Sequence, residues 1–197
     1  MTFILASKSP RRREILKKIN LNFKIYSSEL NEKNVINNYK YSSSYCRNLA
    51  IKKATLVSNN FPENYVIGAD TIVVYKNIIL NKPKNRKEAF NHLNLLNNSK
   101  HTVCTGVALI NKSKKIKKSF IDKTEVYFNK LTNKEINYYI DKYRPYDKAG
   151  SYAIQEYSNV FIKKINGCFY NVVGFPLSKF YKLLNKELNI LTNYEWR

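Results

Sequence analysis

The sequence predicts an α/β fold, one central β-sheet of mixed strand direction with helices against it. Three observations carry this reading. Strand-length apolar runs and segments of helical period mix along the chain without strict alternation, which argues against a purely parallel, doubly wound sheet. A two-residue turn, Lys76-Asn77, separates YVIGADTIVVY from Ile78–Leu80 and marks an antiparallel hairpin. The 197 residues, 44% hydrophobic and 25% charged, suffice for one domain with a sizeable core, taken as spanning 1–197.

The elements follow in order. Phe3–Ala6 reads as a short buried strand. Ser9 then caps a helix with Pro10 at its first position, where a missing N–H costs nothing. Ile15, Leu16 and Ile19 give that helix its apolar stripe. Leu21–Tyr26 alternates as a strand does, and the polar, Asn-rich stretch 27–41 reads as a loop. Ser42–Ser58 reads as a helix with Tyr45, Leu49, Ala50 and Ala54 inward. Tyr65–Tyr75 is the strongest strand signal, hairpinned to Ile78–Leu80. Lys84–Asn97 is helical. Thr102–Ile110 and Lys117–Phe128 are strands joined by a lysine-rich turn. Asn133–Lys142 is helical, Phe161–Ile165 a strand and Leu177–Leu188 a final helix. No repeat, linker or low-complexity tail interrupts the series.

Charge is the unusual quantity. Lys+Arg number 35 against 14 Asp+Glu, a net +21. Arginine occupies only seven positions, and lysine is spread thinly apart from NKSKKIKK over 111–118. A nucleic-acid surface concentrates arginine. The abundance of Lys, Asn, Ile, Tyr and Phe fits compositional drift better, so only non-specific nucleic-acid contact is expected. A positive field still draws in a small anionic substrate. No stretch approaches the roughly 20 apolar residues of a membrane span. The apolar start, MTFILA, precedes its positive charges, the reverse of a secretory signal, so a cytoplasmic location is expected. Cys46, Cys104 and Cys168 are far apart and form no CxxC, and two histidines give a catalytic triad little to work with.

Four segments look chemical. In LASKSPRRR a strand ends, a small-residue turn follows and a helix begins, so free N–H groups and the helix dipole make an anion site. Ser7 and Ser9 add hydroxyls. Arg11, Arg12 and Arg13 oppose the dipole of their own helix, and a bound anion would resolve that conflict. In GADT, Asp70 is a carboxylate within a strand of Val66, Ile67, Ile72 and Val73. Such a group must be paired, or bind metal, or activate water. Asn81-Lys82-Pro83 holds a cation on a rigid turn. DKAGSYAIQ is a loop able to lie against a flat ligand, with Gln155 offering both donor and acceptor. Each of these also has a plain structural reading: a capped helix, a buried network, a surface lysine, a turn into a strand.

The order and wording of LASKSPRRREIL, RNLAIKKA, VIGADTIVV, NKP, HTVCTGVAL, DKAGSYAIQ and INGCFYNVVGFPL resemble the Maf family of nucleoside triphosphate pyrophosphatases, in register from Phe3 to about Leu177. The resemblance implies an elongated central mixed sheet flanked by helices, similar to that of the inosine triphosphate pyrophosphatases. It implies a homodimer, and hydrolysis of a nucleoside triphosphate to the monophosphate and pyrophosphate with a divalent cation, Mg²⁺ or Mn²⁺. It places Asp70 on the family's general base and Arg11, Thr71 and Gln155 on positions linked to substrate choice. Ser7, Ser9, Arg12, Lys53 and Lys82 fall on the phosphate side. Asp70 and Glu32, in the loop Glu29-Leu30-Asn31-Glu32, are the implied metal ligands. The wording DKAGxYxIQ is similar to that of the branch acting on dTTP and UTP.

The chain departs from the family pattern in places: NKP stands for GKP, Asn77 for a turn glycine, Phe175 for the leucine of VVGLPL, and Glu156 for the glycine after Gln155. Only Glu156 brings a new charge to the pocket. Two other readings stay open at this point. One is the same chemistry on 7-methyl-GTP or other modified nucleotides. The other is a basic nucleic-acid-associated protein with little catalysis.

Overall fold

The computed structural model describes residues 2–30 and 44–188. Along the chain these form β1 (Phe3–Leu5), α1 (Pro10–Lys17), β2 (Phe23–Ile25), α2 (Ser44–Asn60), β3 (Tyr65–Tyr75), β4 (Ile78–Leu80), α3 (Arg86–Leu96), β5 (Lys100–Asn111), β6 (Ile116–Phe128), α4 (Asn133–Tyr143), β7 (Ile162–Asn166), α5 (Phe169–Val173) and α6 (Leu177–Leu188). The strands make one sheet in the order β2-β1-β3-β5-β6-β7, with β4 also paired to β3. β2, β1 and β3 are parallel, and every other pairing is antiparallel. The mixed sheet with flanking helices is the expected class. None of the described helices is long and apolar enough to cross a membrane.

The predicted elements are present with shifted ends. β2 is three residues rather than six, an edge strand with Ile25 and Tyr26 exposed. β5 begins at Lys100 because the Lys100–Tyr127 pairing extends the ladder beyond the apolar run. α5, only five residues, carries no periodic signal. Tertiary contacts hold it instead: Asn171 donates through Nδ2 to Val103 O (3.0 Å) and Thr124 Oγ1 (2.9 Å), while Thr105 donates to Asn171 O (3.0 Å). The expected loop at 27–41 falls mostly outside the described residues.

Side chains alternate across β3. Gly68, Asp70 and Ile72 face α2, where Ile72 packs with Cys46 and Leu49. Ile67 and Ala69 face the other side and share a cluster with Leu16 of α1, Phe175 and Phe180. Farther along that face, Val73, Val103 and Val126 pack with Leu93 of α3 and Tyr139 of α4.

α2 lies almost on the strand backbone. A Cβ on Gly68 would sit 2.1 Å from Ala50 O, and one on Gly106 would sit 2.3 Å from Arg47 N. Both clashes are with backbone, so no rotamer change relieves them. Gly68→Ala is therefore expected to cost about 3 kcal/mol or more by overpacking, read as a lowered urea midpoint at unchanged slope.

Candidate active site

The sheet has a notch. β1 ends at Leu5, paired to Ile67, and β4 begins its pairing at Val73. Both lie on the edge of β3 opposite β5. Residues 68–72 therefore have no strand neighbour on that edge among the described residues. The turn 6–9 and the N-terminus of α1 open at one end of this gap, and the 145–156 loop bounds the other. At the notch, Asp70 on one face of the sheet and Thr71 on the other lie on the same unpaired strand edge.

On the α2 face, Lys53 Nζ donates to Asp70 Oδ1 at 2.6 Å, and both residues are 8% exposed. Helix and strand meet closely enough for this pair only because position 68 lacks a side chain. Removing one partner would strand the other's buried charge, a loss of about 3–5 kcal/mol. The sequence placed Lys53 and Asp70 in one site without linking them.

On the opposite face, Arg12 fixes the turn. Its guanidinium donates to Ser7 Oγ (3.1 Å), Thr71 Oγ1 (3.1 Å) and Gly174 O (3.0 Å). Thr71 Oγ1 lies 3.0 Å from Thr105 Oγ1. Ser9 caps α1 by accepting from Arg12 N, and Ser9 N donates to Ser7 Oγ. Arg12 thus joins β1, β3 and the end of α5, a role that spacing alone did not reveal. α1 has no acidic residue in its first turn, so its N-terminus remains electropositive.

The 145–156 loop crosses from α1 to β4. Arg11 Nη1 donates to Asp147 Oδ2 at 3.0 Å, and Gly150 N donates to Asn81 O at 3.3 Å, next to Lys82. Lys148, 8% exposed, bonds Asp147 Oδ1 at 2.7 Å and lies 3.5 Å from Glu156 Oε1. The carboxylate that departs from the family pattern is therefore paired. Burial raises the Asp147 carboxyl, but the bonds from Lys148 and Arg11 outweigh it and leave the group below its ordinary value. Lys82 and Gln155 are exposed.

The remaining titratable groups are poor catalysts. Burial, with Cys104 and Asp70 nearby, pushes the Cys46 thiol up to about 12, and burial raises Cys104 as well. Neither supplies a thiolate at neutral pH. Burial lowers His101 to about 3 and also lowers His92, where Glu88 acts in the opposite direction. Both shifts favour the neutral imidazole.

Among the described residues, no group of three or more His, Cys, Asp or Glu is placed to hold a metal. Glu32 lies outside the described residues. Asp70 is a hard oxygen donor, and one or two carboxylates plus substrate phosphates are the usual set for Mg²⁺. The donor set fits a cation shared with substrate rather than one caged by protein alone.

A mixed α/β sheet, an electropositive helix N-terminus and a buried carboxylate at a gap in that sheet define an anion-binding protein of enzymatic type. The particular family is explicit in the sequence: the Maf-like protein family pattern matches residues 2–187, and the chain belongs to it. A dTTP/UTP pyrophosphatase of Bacillus anthracis is 44% identical over 187 residues, covering 95% of each chain. One from Geobacillus sp. (strain WCH70) is 45% identical over 176 residues, covering 89% of this chain and 92% of the other. Among solved structures, a HAM1 protein from Coxiella burnetii aligns with a TM-score of 0.45 at 11% identity, over 94% of this chain and 99% of that one.

Arg12→Lys tests the turn. An ammonium cannot span three acceptors in two directions. The variant is expected to lose about 2 kcal/mol of stability, measured by urea unfolding.

Proposed function

We propose that this chain is a nucleoside triphosphate pyrophosphatase that hydrolyses dTTP and UTP to the monophosphate and pyrophosphate. The observation that carries the proposal is the buried Asp70 carboxylate at the notch beside the α1 N-terminus, in a chain 44–45% identical to two proteins of that named activity. The wording of the 147–155 loop supports the pyrimidine preference.

The triphosphate lies along the notch. Its charge is offset by the N–H groups of the 7–9 turn, the α1 dipole, Arg11, Lys53 and Lys82. Arg12 holds Ser7, and Ser7 with Ser9 shapes the cradle. Asp70 orients the attacking water and accepts its proton at a carboxylate oxygen. The water oxygen bonds to phosphorus as the α–β phosphoanhydride bond breaks, and pyrophosphate leaves. Asp70, and Glu32 as the family resemblance implies, would hold Mg²⁺ or Mn²⁺, which when bound would supply neutralisation of the charge on the pyrophosphate leaving group. Thr71, on the far face, lines the recognition side. Gln155 reads the pyrimidine edge as donor and acceptor. The enzyme is further taken to be cytoplasmic and a homodimer.

Asp70→Asn keeps the shape and removes the base. Pyrophosphate release from dTTP and UTP should fall at least about 10³-fold, measured at a temperature where circular dichroism shows the variant folded, because loss of the Lys53 ion pair also lowers its melting temperature. The same assay with CTP, GTP and 7-methyl-GTP, with and without Mg²⁺, tests the substrate range. Release from 7-methyl-GTP alone would overturn the pyrimidine assignment. Full activity in the variant would remove Asp70 from the chemistry.

A further inference from the structure

The chain has two histidines, and both end on adjacent residues of the 145–156 loop. His92 of α3, 7% exposed, places Nδ1 2.9 Å from Ser151 Oγ. His101 of β5, 2% exposed, places Nε2 2.7 Å from Tyr152 OH. They come from different elements and approach the loop separately. Neither contributes to the reaction described above.

The loop needs such support. Gly150 and Ser151 both have positive φ, +65° and +64°. Ser151 is not a glycine and is wholly buried, so its left-handed backbone is unfavourable unless a partner compensates. His92 is that partner. Gly150 fits because its absent Cβ would lie 2.9 Å from the Val73 side chain. The Tyr152 ring meets His101 and Phe128 edge to face at 5.4 and 5.0 Å, so its hydroxyl and its ring are both fixed. One residue on, Ala153 N donates to Ser158 Oγ, and Ser158 Oγ donates to Ala153 O. Glu156 N closes the turn onto Ala153 O at 2.9 Å. Residues 151, 152 and 153 are thus pinned in succession, and Gln155 stands exposed just beyond them.

We infer that His92 and His101 are positioning residues for nucleobase selectivity: through Ser151 and Tyr152 they set the height and direction at which Gln155 meets the base. The inference rests on the reading of Gln155 as the base-reading group. A neutral imidazole suits the task, because it bonds a hydroxyl without bringing a charge beneath the pocket.

The test measures kcat and KM for dTTP, UTP, CTP and GTP in His92→Leu, His92→Asn, Ser151→Ala, Tyr152→Phe and Gln155→Ala, with melting temperatures for each. His92→Leu should lower the preference for dTTP over CTP and GTP about tenfold, chiefly through KM. His92→Asn, whose amide reaches the Nδ1 position, should restore most of it. His92→Leu combined with Ser151→Ala should be no worse than either alone. Tyr152→Phe removes one oxygen, keeps the ring and should give the same KM-weighted loss even if His92→Leu folds poorly. If Gln155→Ala alters the preference while His92→Leu and Tyr152→Phe leave it intact, this inference falls and the base-reading assignment stands. A uniform drop in kcat across nucleotides that tracks melting temperature would also overturn it. If Gln155→Ala itself leaves the preference unchanged, the assignment of Gln155 fails and the inference fails with it.

Discussion

The close seating of α2 on the sheet is the constraint on which the rest depends. Gly68 and Gly106 let the helix backbone rest against β3 and β5, and no residue with a side chain can occupy either position without displacing main chain. At that distance Lys53 reaches Asp70, and their 2.6 Å contact places an ion pair in a region otherwise packed with Leu49, Ile72 and two cysteines. A buried ion pair is an expensive way to stabilise a domain, since desolvation offsets most of the attraction. Its presence at the sheet notch fits a site that keeps a carboxylate poised for chemistry.

The notch leaves one edge of β3 unpaired where Asp70 and Thr71 lie. Consecutive residues of a strand point to opposite faces, so Asp70 and Thr71 cannot share a pocket within an intact sheet. Because β1 stops at Leu5, paired to Ile67, and β4 ends at Leu80, paired to Val73, that edge is open between them. Asp70 then serves the α2 side and Thr71 the side of Arg12 and Gly174. The electropositive turn at 7–9 stands at the opening. Arg12, with three protein acceptors, is what keeps that turn, β3 and the end of α5 in fixed relation.

Electrostatics along the recognition loop are continuous. Arg11, Asp147, Lys148 and Glu156 alternate in sign from the phosphate end of the site to the neighbour of Gln155. Glu156 therefore brings no unpaired charge to the pocket. The wider excess of lysine has no comparable organisation. It supplies a general positive field.

The sequence by itself determined the fold class and the strong elements, and it singled out the segments from which the candidate site is proposed. Period-2 and period-3.6 patterns are local, and so are caps such as Ser9 and turns such as Lys76-Asn77. It also marked Asp70 as anomalous, because a carboxylate in an apolar strand must have a partner, but it could not name Lys53, seventeen residues away on another element. Only the tertiary structure decided that pairing, the notch that leaves one edge of β3 unpaired, and the short helix 169–173, whose stability comes from Asn171 and Thr105 rather than from periodicity. The histidines show the same division. Nothing in the sequence linked His92 and His101 to the 145–156 loop, and folding brought both onto Ser151 and Tyr152. Contacts between distant segments are set by packing and close approach, and neither leaves a periodic trace in the chain.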